Sequence, residues 1–76
     1  MTNIILPELG DGITKAVVAC WHVKKGQEVN AGDEILEVVT DKASFCVESP
    51  DKGRLVSIDV PAGAEALVGT KLGVIE

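Results

Sequence analysis

Val23-Lys24-Lys25-Gly26-Gln27-Glu28-Val29-Asn30-Ala31-Gly32 returns 37 residues later as Val60-Pro61-Ala62-Gly63-Ala64-Glu65-Ala66-Leu67-Val68-Gly69. Val23, Gly26, Glu28 and Gly32 are matched by Val60, Gly63, Glu65 and Gly69. The apolar positions keep step beyond them, Ile35 with Leu72 and Val38 with Ile75. Internal repetition bears on architecture before local propensity does. Each copy reads strand, glycine turn, short strand, glycine turn, strand. Two copies are too few for a solenoid. The expectation is therefore two copies folded face to face about a pseudo-twofold axis, burying both apolar faces.

Between the copies lies Thr40-Asp41-Lys42-Ala43, a polar break separating the apolar, β-branched-rich runs Glu34–Val39 and Phe45–Val47. Such a break predicts a hairpin with Lys42 at its tip. A primary amine on a tight, exposed turn is accessible to another enzyme and held by a rigid scaffold. That is what covalent attachment of a prosthetic group requires. A charged residue at a turn is more commonly plain solvated surface, and it is the placement between two copies that sets this lysine apart.

The remaining chain reads as short strands. Asn3–Leu6 is ended by Pro7, and Glu8–Gly12 is a loop with two glycines. Lys15–Val23 alternates, and the larger set, Val17, Ala19, Trp21 and Val23, is assigned to the core. Ala16, Val18, Cys20 and His22 then face outward. Strands follow around Val29, over Glu34–Thr40 and over Ser44–Glu48, where Phe45 and Val47 point inward and Ser44, Cys46 and Glu48 outward. Ser49–Gly53 is a turn-rich loop. Arg54–Val60 and Thr70–Ile75 complete the set, with Leu67 a strand remnant. No apolar period of 3.6 persists over ten positions, and eight glycines interrupt the chain. The fold class is all-β. The expected core is Ala19, Trp21, Val23, Ile35, Val38, Phe45, Val47, Ile58, Val60, Leu72 and Ile75.

Seventy-six residues make a single domain, 1–76, close to the size at which one core is barely sufficient. Hydrophobic content is 46%, with Trp21 and Phe45 the only aromatic residues, so aliphatic side chains must fill the core. The net charge of −5, with scattered basic residues, argues against nucleic acid and anionic membranes, which need a positive footprint. No apolar run is long enough for a membrane-spanning helix. The opening Met1–Pro7 lacks the basic and apolar regions of a secretory signal.

Cys20 and Cys46 are expected to be reduced thiols, since nothing marks the chain as secreted. Cys20 and His22 share one side of a strand, but two donors without a CxxC pair make a poor zinc site, so no metal is expected. His22 has no carboxylate partner near it in sequence and no nucleophile elbow exists. Gly10-Asp11-Gly12 lacks the pattern of a phosphate loop. An active site of the chain's own is not expected.

Taken together, the repeat, the Lys42 hairpin, Leu6-Pro7-Glu8-Leu9-Gly10-Asp11-Gly12 and Trp21-His22-Val23-Lys24-Lys25-Gly26 resemble a lipoyl domain of the acyltransferase component of 2-oxo acid dehydrogenase complexes. The resemblance covers Ile4 to Glu76. It implies a flattened barrel, a barrel-sandwich hybrid of two antiparallel four-stranded sheets with internal pseudo-twofold symmetry. It also implies covalently bound lipoate on Lys42, with Asp41, Ala43 and Gly26 read by the modifying lipoate ligase or octanoyl transferase. Glu8, Leu9, Gly10, Asp11 and Gly12 would contact a thiamin-dependent decarboxylase. The carried group would visit an acyltransferase catalytic domain and a dihydrolipoyl dehydrogenase, in a bacterial cytoplasm or a mitochondrial matrix. The related biotinyl domains flank their lysine with methionines, whereas here Asp41 and Ala43 do so. The family commonly carries Glu three residues before the lysine, where this chain has Val39, and Cys46 stands where a surface glutamate is usual. Two alternatives are a biotin carrier and an unmodified barrel-sandwich interaction module. With no catalytic domain after Glu76, the chain is expected to be part of a longer acyltransferase subunit. The 2-oxo acid is chosen by the decarboxylase and is not legible in this chain.

Overall fold

The computed structural model describes residues 1–10 and 12–76. Its regular elements are eight strands: β1 (Thr2–Ile5), β2 (Lys15–Trp21), β3 (Glu28–Val29), β4 (Glu34–Val39), β5 (Ser44–Glu48), β6 (Gly53–Ile58), β7 (Glu65–Leu67) and β8 (Lys71–Ile75). They form two four-stranded sheets, ordered β1-β8-β6-β3 and β5-β4-β2-β7, and every pairing is antiparallel. The molecule measures 32 × 20 × 16 Å, the expected flattened barrel. One sheet order becomes the other when β1, β8, β6 and β3 are replaced by β5, β4, β2 and β7. The inner strands of each sheet thus come from one half of the chain and the edge strands from the other. Both ends of the chain lie in the first sheet, where Thr2 pairs with Ile75. The hairpin joining β4 to β5 belongs to the second.

The repeat is visible in the backbone. Gly26 and Gly63 have φ of 93° and 91°, and Gly32 and Gly69 have φ of 88° and 91°, a region that L side chains rarely enter. Four ladder irregularities also fall in two repeat-related pairs. In β2, Val18 pairs with Val38 and Cys20 with Glu37, so Ala19 is an extra residue. In β6, Leu55 pairs with Ile75 and Ser57 with Val74, which leaves Val56 extra. Ile35 is skipped between the pairs Glu34–Glu48 and Leu36–Val47. Its counterpart Leu72 is skipped between Ile4–Gly73 and Ile5–Lys71.

A bulge shifts the alternation of a strand by one residue, and this corrects the reading of β2. Ala16 and Val18 are buried, while Ala19 is exposed and Val17 is 40% exposed. Beyond the bulge the expected parity returns, with Val23 buried, Trp21 half-buried and His22 exposed. Ala19 therefore leaves the core list. At the second kind of bulge, neighbouring residues turn inward together, so Leu36 joins Ile35 in the interior. Val38, Val47, Val60, Leu72 and Ile75 are buried as expected, and Phe45 and Ile58 are half-buried against them. Ile4, Leu6, Val29, Leu55 and Ala66 are further core residues.

Trp21 bridges the sheets. Its Nε1 donates to the carbonyl of Val60 over 2.9 Å, which satisfies the polar end of a largely buried indole. A Cβ built on Gly73 would lie 3.2 Å from Trp21 Cη2 and 2.6 Å from the Ser57 carbonyl oxygen. Only a bare Cα fits between that backbone and the ring.

The bulge at Ala19 decides which of two adjacent valines tolerates a polar substitution. Val18→Thr places a hydroxyl at a fully buried site and should cost about 1–3 kcal/mol. Val17→Thr, on the solvent side, should change stability by no more than about 0.5 kcal/mol. Urea denaturation followed by Trp21 fluorescence measures both. A larger cost for Val17→Thr than for Val18→Thr would mean that the bulge does not shift the alternation of β2.

Candidate functional site

Lys42 stands at the tip of the β4–β5 hairpin, in the two residues between the Thr40–Ala43 bridge, and is exposed with Asp41 and Ala43. Primed two-residue turns, which match the twist of a hairpin best, require positive φ. Among the described residues no non-glycine has one, so this turn needs another source of order. Thr40 supplies it. The backbone N–H of Thr40 donates to the Ala43 carbonyl at 2.8 Å, and the Thr40 hydroxyl donates to that same oxygen at 3.0 Å. The Thr40 oxygen in turn accepts from the N–H groups of Lys42 and Ala43, each at 3.1 Å. Every polar backbone contact given for the turn thus runs through Thr40. Among the described residues the Asp41 side chain makes no hydrogen bond and that of Ala43 has none to make, so Thr40 holds the turn. The signal was available, since Ser and Thr hydroxyls at the start of a turn mimic a backbone turn in this way.

The loop before β2 folds against the hairpin. Leu6 N donates to Thr70 O at 3.0 Å and Gly69 N to Leu6 O at 2.9 Å, which anchors its start on the β7–β8 turn. Ile13 N donates to Gly10 O at 3.2 Å and closes a local turn. Leu9 packs on the core, whereas Glu8, Gly10 and Gly12 are exposed. Asp11 lies outside the described residues. A Cβ placed on Gly12 would come within 3.8 Å of Lys42 Nζ, so the lysine amine lies beside this glycine. The loop and the lysine therefore form a single surface.

An open groove of about 600 Å³ continues from this surface, lined among others by Gly12, Ile13, Val17, Val39, Thr40 and Asp41. Val17 and Val39 are directly opposed across β2 and β4 and are 40% and 38% exposed. Val39 thus belongs to the rim of the lysine site. Gly26 sits in the turn between β2 and β3, its N–H bonded to Leu55 O at 2.6 Å. That accounts for its positive φ as a turn requirement and leaves its Cα open, with nothing within 4 Å of an added Cβ.

Cys20 and Cys46 are free, and Cys20, His22 and Cys46 all point away from the core. Both cysteines align with Glu37, Cys20 on one side and Cys46 on the other. Two strand spacings, roughly 9–10 Å, separate their backbones, beyond the reach of a disulfide. A hydrogen bond to the Glu34 carboxylate, helped by slight desolvation and by the charges of Glu34 and Glu37, pushes the Cys46 thiol above its ordinary value.

Removing the Thr40 hydroxyl should loosen the turn without disturbing the core. Thr40→Val is expected to cost about 1 kcal/mol and to speed amide exchange at Lys42 and Ala43, whereas Thr40→Ser should keep both properties near those of the parent. Hydrogen exchange read by NMR distinguishes the two. Unchanged exchange in the valine variant would assign the order of the turn to some other contact.

The Biotin_lipoyl family profile, described as "Biotin-requiring enzyme", matches residues 2–75. The chain is 39% identical over 74 residues to the pyruvate dehydrogenase complex protein X component, mitochondrial, of Chaetomium thermophilum, covering 96% of this chain and 17% of that protein. It is 38% identical over 73 residues to the dihydrolipoyllysine-residue succinyltransferase component of the 2-oxoglutarate dehydrogenase complex of Rickettsia conorii, covering 96% and 18%. It is 43% identical over 65 residues to the dihydrolipoyllysine-residue acetyltransferase component of the pyruvate dehydrogenase complex of Rhizobium meliloti, covering 86% and 14%. The chain therefore spans less than a fifth of the length of these relatives. Among solved structures, the solution structure of the lipoyl domain of the 2-oxoglutarate dehydrogenase complex from Azotobacter vinelandii superposes with a TM-score of 0.79 at 29% identity, covering 100% of this chain and 96% of that one. With the profile matching nearly the whole length, the chain belongs to the biotinyl/lipoyl-attachment family of carrier domains.

Proposed function

We propose that Lys42 carries lipoate through an amide at Nζ, and that residues 1–76 act as one swinging-arm domain of a 2-oxo acid dehydrogenase complex. The observation that supports this most is the presentation of Lys42 on a turn clamped by Thr40, with Gly12 leaving open the space beside Nζ. The prosthetic group, when bound, supplies a dithiolane able to take up an acyl group and an electron pair. Everything else is done by the protein. Acylation removes the charge of Lys42, and the hairpin fixes the root of the arm while leaving its length free. Tethering converts diffusional encounters into intramolecular ones, at effective concentrations on the order of millimolar.

In this reading the partners are a thiamin-dependent decarboxylase, an acyltransferase catalytic domain and dihydrolipoyl dehydrogenase. A lipoate ligase or octanoyl transferase installs the arm and reads Asp41, Ala43 and Gly26. The decarboxylase docks on Glu8–Gly12 and the hairpin beside it, where the negative charges of Glu8 and Asp41 steer approach. The domain works inside a longer acyltransferase subunit, in a bacterial cytoplasm or a mitochondrial matrix.

A lysine amine has an unperturbed pKa of about 10.4, so position and not intrinsic reactivity must separate Lys42 from Lys24, Lys25 and Lys52. Incubation with a lipoate ligase should add one lipoyl mass to the parent and none to Lys42→Arg. The double variant Asp41→Lys/Lys42→Asp, which moves the amine by one residue on the same turn, should lose nearly all modification with its fold intact. Intact mass spectrometry reads each outcome. A biotinyl mass instead would make this a biotin carrier, and a bare lysine beside a competent ligase would favour an unmodified interaction module.

A further inference from the structure

The outer face of the β5-β4-β2-β7 sheet holds a group of donors that the arm does not use. Cys20 Sγ lies 4.0 Å from His22 Nδ1, and with a Glu37 carboxylate oxygen these atoms all fall within 4.8 Å of one another. We propose that Cys20, His22 and Glu37 form a three-ligand site for a borderline divalent cation of the zinc type, with water at the fourth position. The argument against a metal from the sequence rested on two donors only. The third comes from β4, and its arrival depends on the bulge at Ala19. In an unbroken ladder continuing from the Val18–Val38 pair, Cys20 would stand opposite Leu36, which is buried. The extra residue places it opposite Glu37 instead.

The backbone is fixed on both sides of the group. Cys20 and Glu37 are direct ladder partners, and His22 N donates to Ile35 O at 2.8 Å, which extends the pairing past the end of β2. A tetrahedral zinc ion with bonds of about 2.0–2.3 Å holds its ligands roughly 3.3–3.6 Å apart. The three side chains must therefore draw together by at most about 1.5 Å. Thiolate, imidazole and carboxylate suit zinc better than magnesium or calcium. Glu37 is also uncommitted. The ion pairs found among the described residues are Lys15–Glu65, Arg54–Glu28 and Lys71–Asp59, so Glu37 is in none of them, and Glu34 on the same strand adds negative charge. Cys46 lies across Glu37 from Cys20 and is too distant from Cys20 to share the ion.

The site is independent of the arm, and the test keeps it so. The Lys42→Arg chain, which can carry no lipoyl sulfur, is stripped of metal and titrated with zinc and with cobalt. It should retain one equivalent of zinc against a weak chelator, and cobalt should give visible bands of tetrahedral type with a thiolate charge-transfer band. Cys20→Ser should abolish that band. His22→Gln and Glu37→Gln should each weaken zinc by at least about tenfold, and Cys46→Ser should leave binding unchanged. All four positions are at the surface, and an unchanged amide NMR spectrum confirms folding in each variant. Equal zinc binding by the parent and Cys20→Ser, or its loss in Cys46→Ser, would overturn the proposal.

Discussion

Each sheet of this domain is completed by strands from the other half of the chain, and that interleaving is the constraint from which the structure follows. The inner strands β8 and β6 take their edges from β1 and β3, while β4 and β2 take theirs from β5 and β7. A half-chain would keep two adjacent strands and lose the rest of its ladder, and an isolated strand pair is marginal in water at best. Neither apolar face can then be covered until both halves are present. Pairings of such wide sequence separation exact loop-closure entropy before they return any burial. A domain this small tolerates that because its interior is continuous, running from Ile4 and Leu6 through Val18, Leu36 and Val38 to Leu55, Leu72 and Ile75.

The paired bulges show how the same constraint shapes the surface. Ala19 and Val56 occupy equivalent places in the two halves, as do Ile35 and Leu72. Extra residues at these points bend and twist the strands, which lets two short sheets close on one another. The outcome on the outer face is asymmetric because the side chains differ. In the first half the bulge turns Val17 outward beside Val39, next to the lysine, and aligns Cys20 with Glu37. The second half presents Arg54 and Ser57 at the corresponding positions. One backbone device therefore serves two unlike surfaces.

The hairpin sets a tied turn and a free side chain two residues apart. Thr40 ties the turn through hydroxyl and backbone together, whereas Lys42 is exposed, with Nζ near Gly12. On the strand that follows, the Glu34 carboxylate raises the Cys46 thiol above its ordinary value. The loop before β2 reaches the lysine because Leu6 is bonded to both Gly69 and Thr70. The loop is in this way anchored to the turn between β7 and β8.

Much of this was legible in the order of residues. The 37-residue repeat, its glycines and the polar break around Lys42 led to the eight strands, the two-sheet barrel and the exposed hairpin that presents Lys42, because turn chemistry and apolar spacing are local properties. The parity of β2 was not legible. A bulge is a relation between two strands, and Lys15–Val23 taken alone alternates cleanly in the wrong phase up to Ala19. The role of Thr40 was within reach of sequence reasoning but went to its neighbours, whose charge and size drew attention. Glu37 could not be joined to Cys20 and His22 in advance, since only the register of β4 against β2 brings them together. What the sequence determined by itself was where the chain turns and which segments are apolar. Which residues meet across the sheets was decided by tertiary pairing, where one extra residue moves every later side chain by one partner.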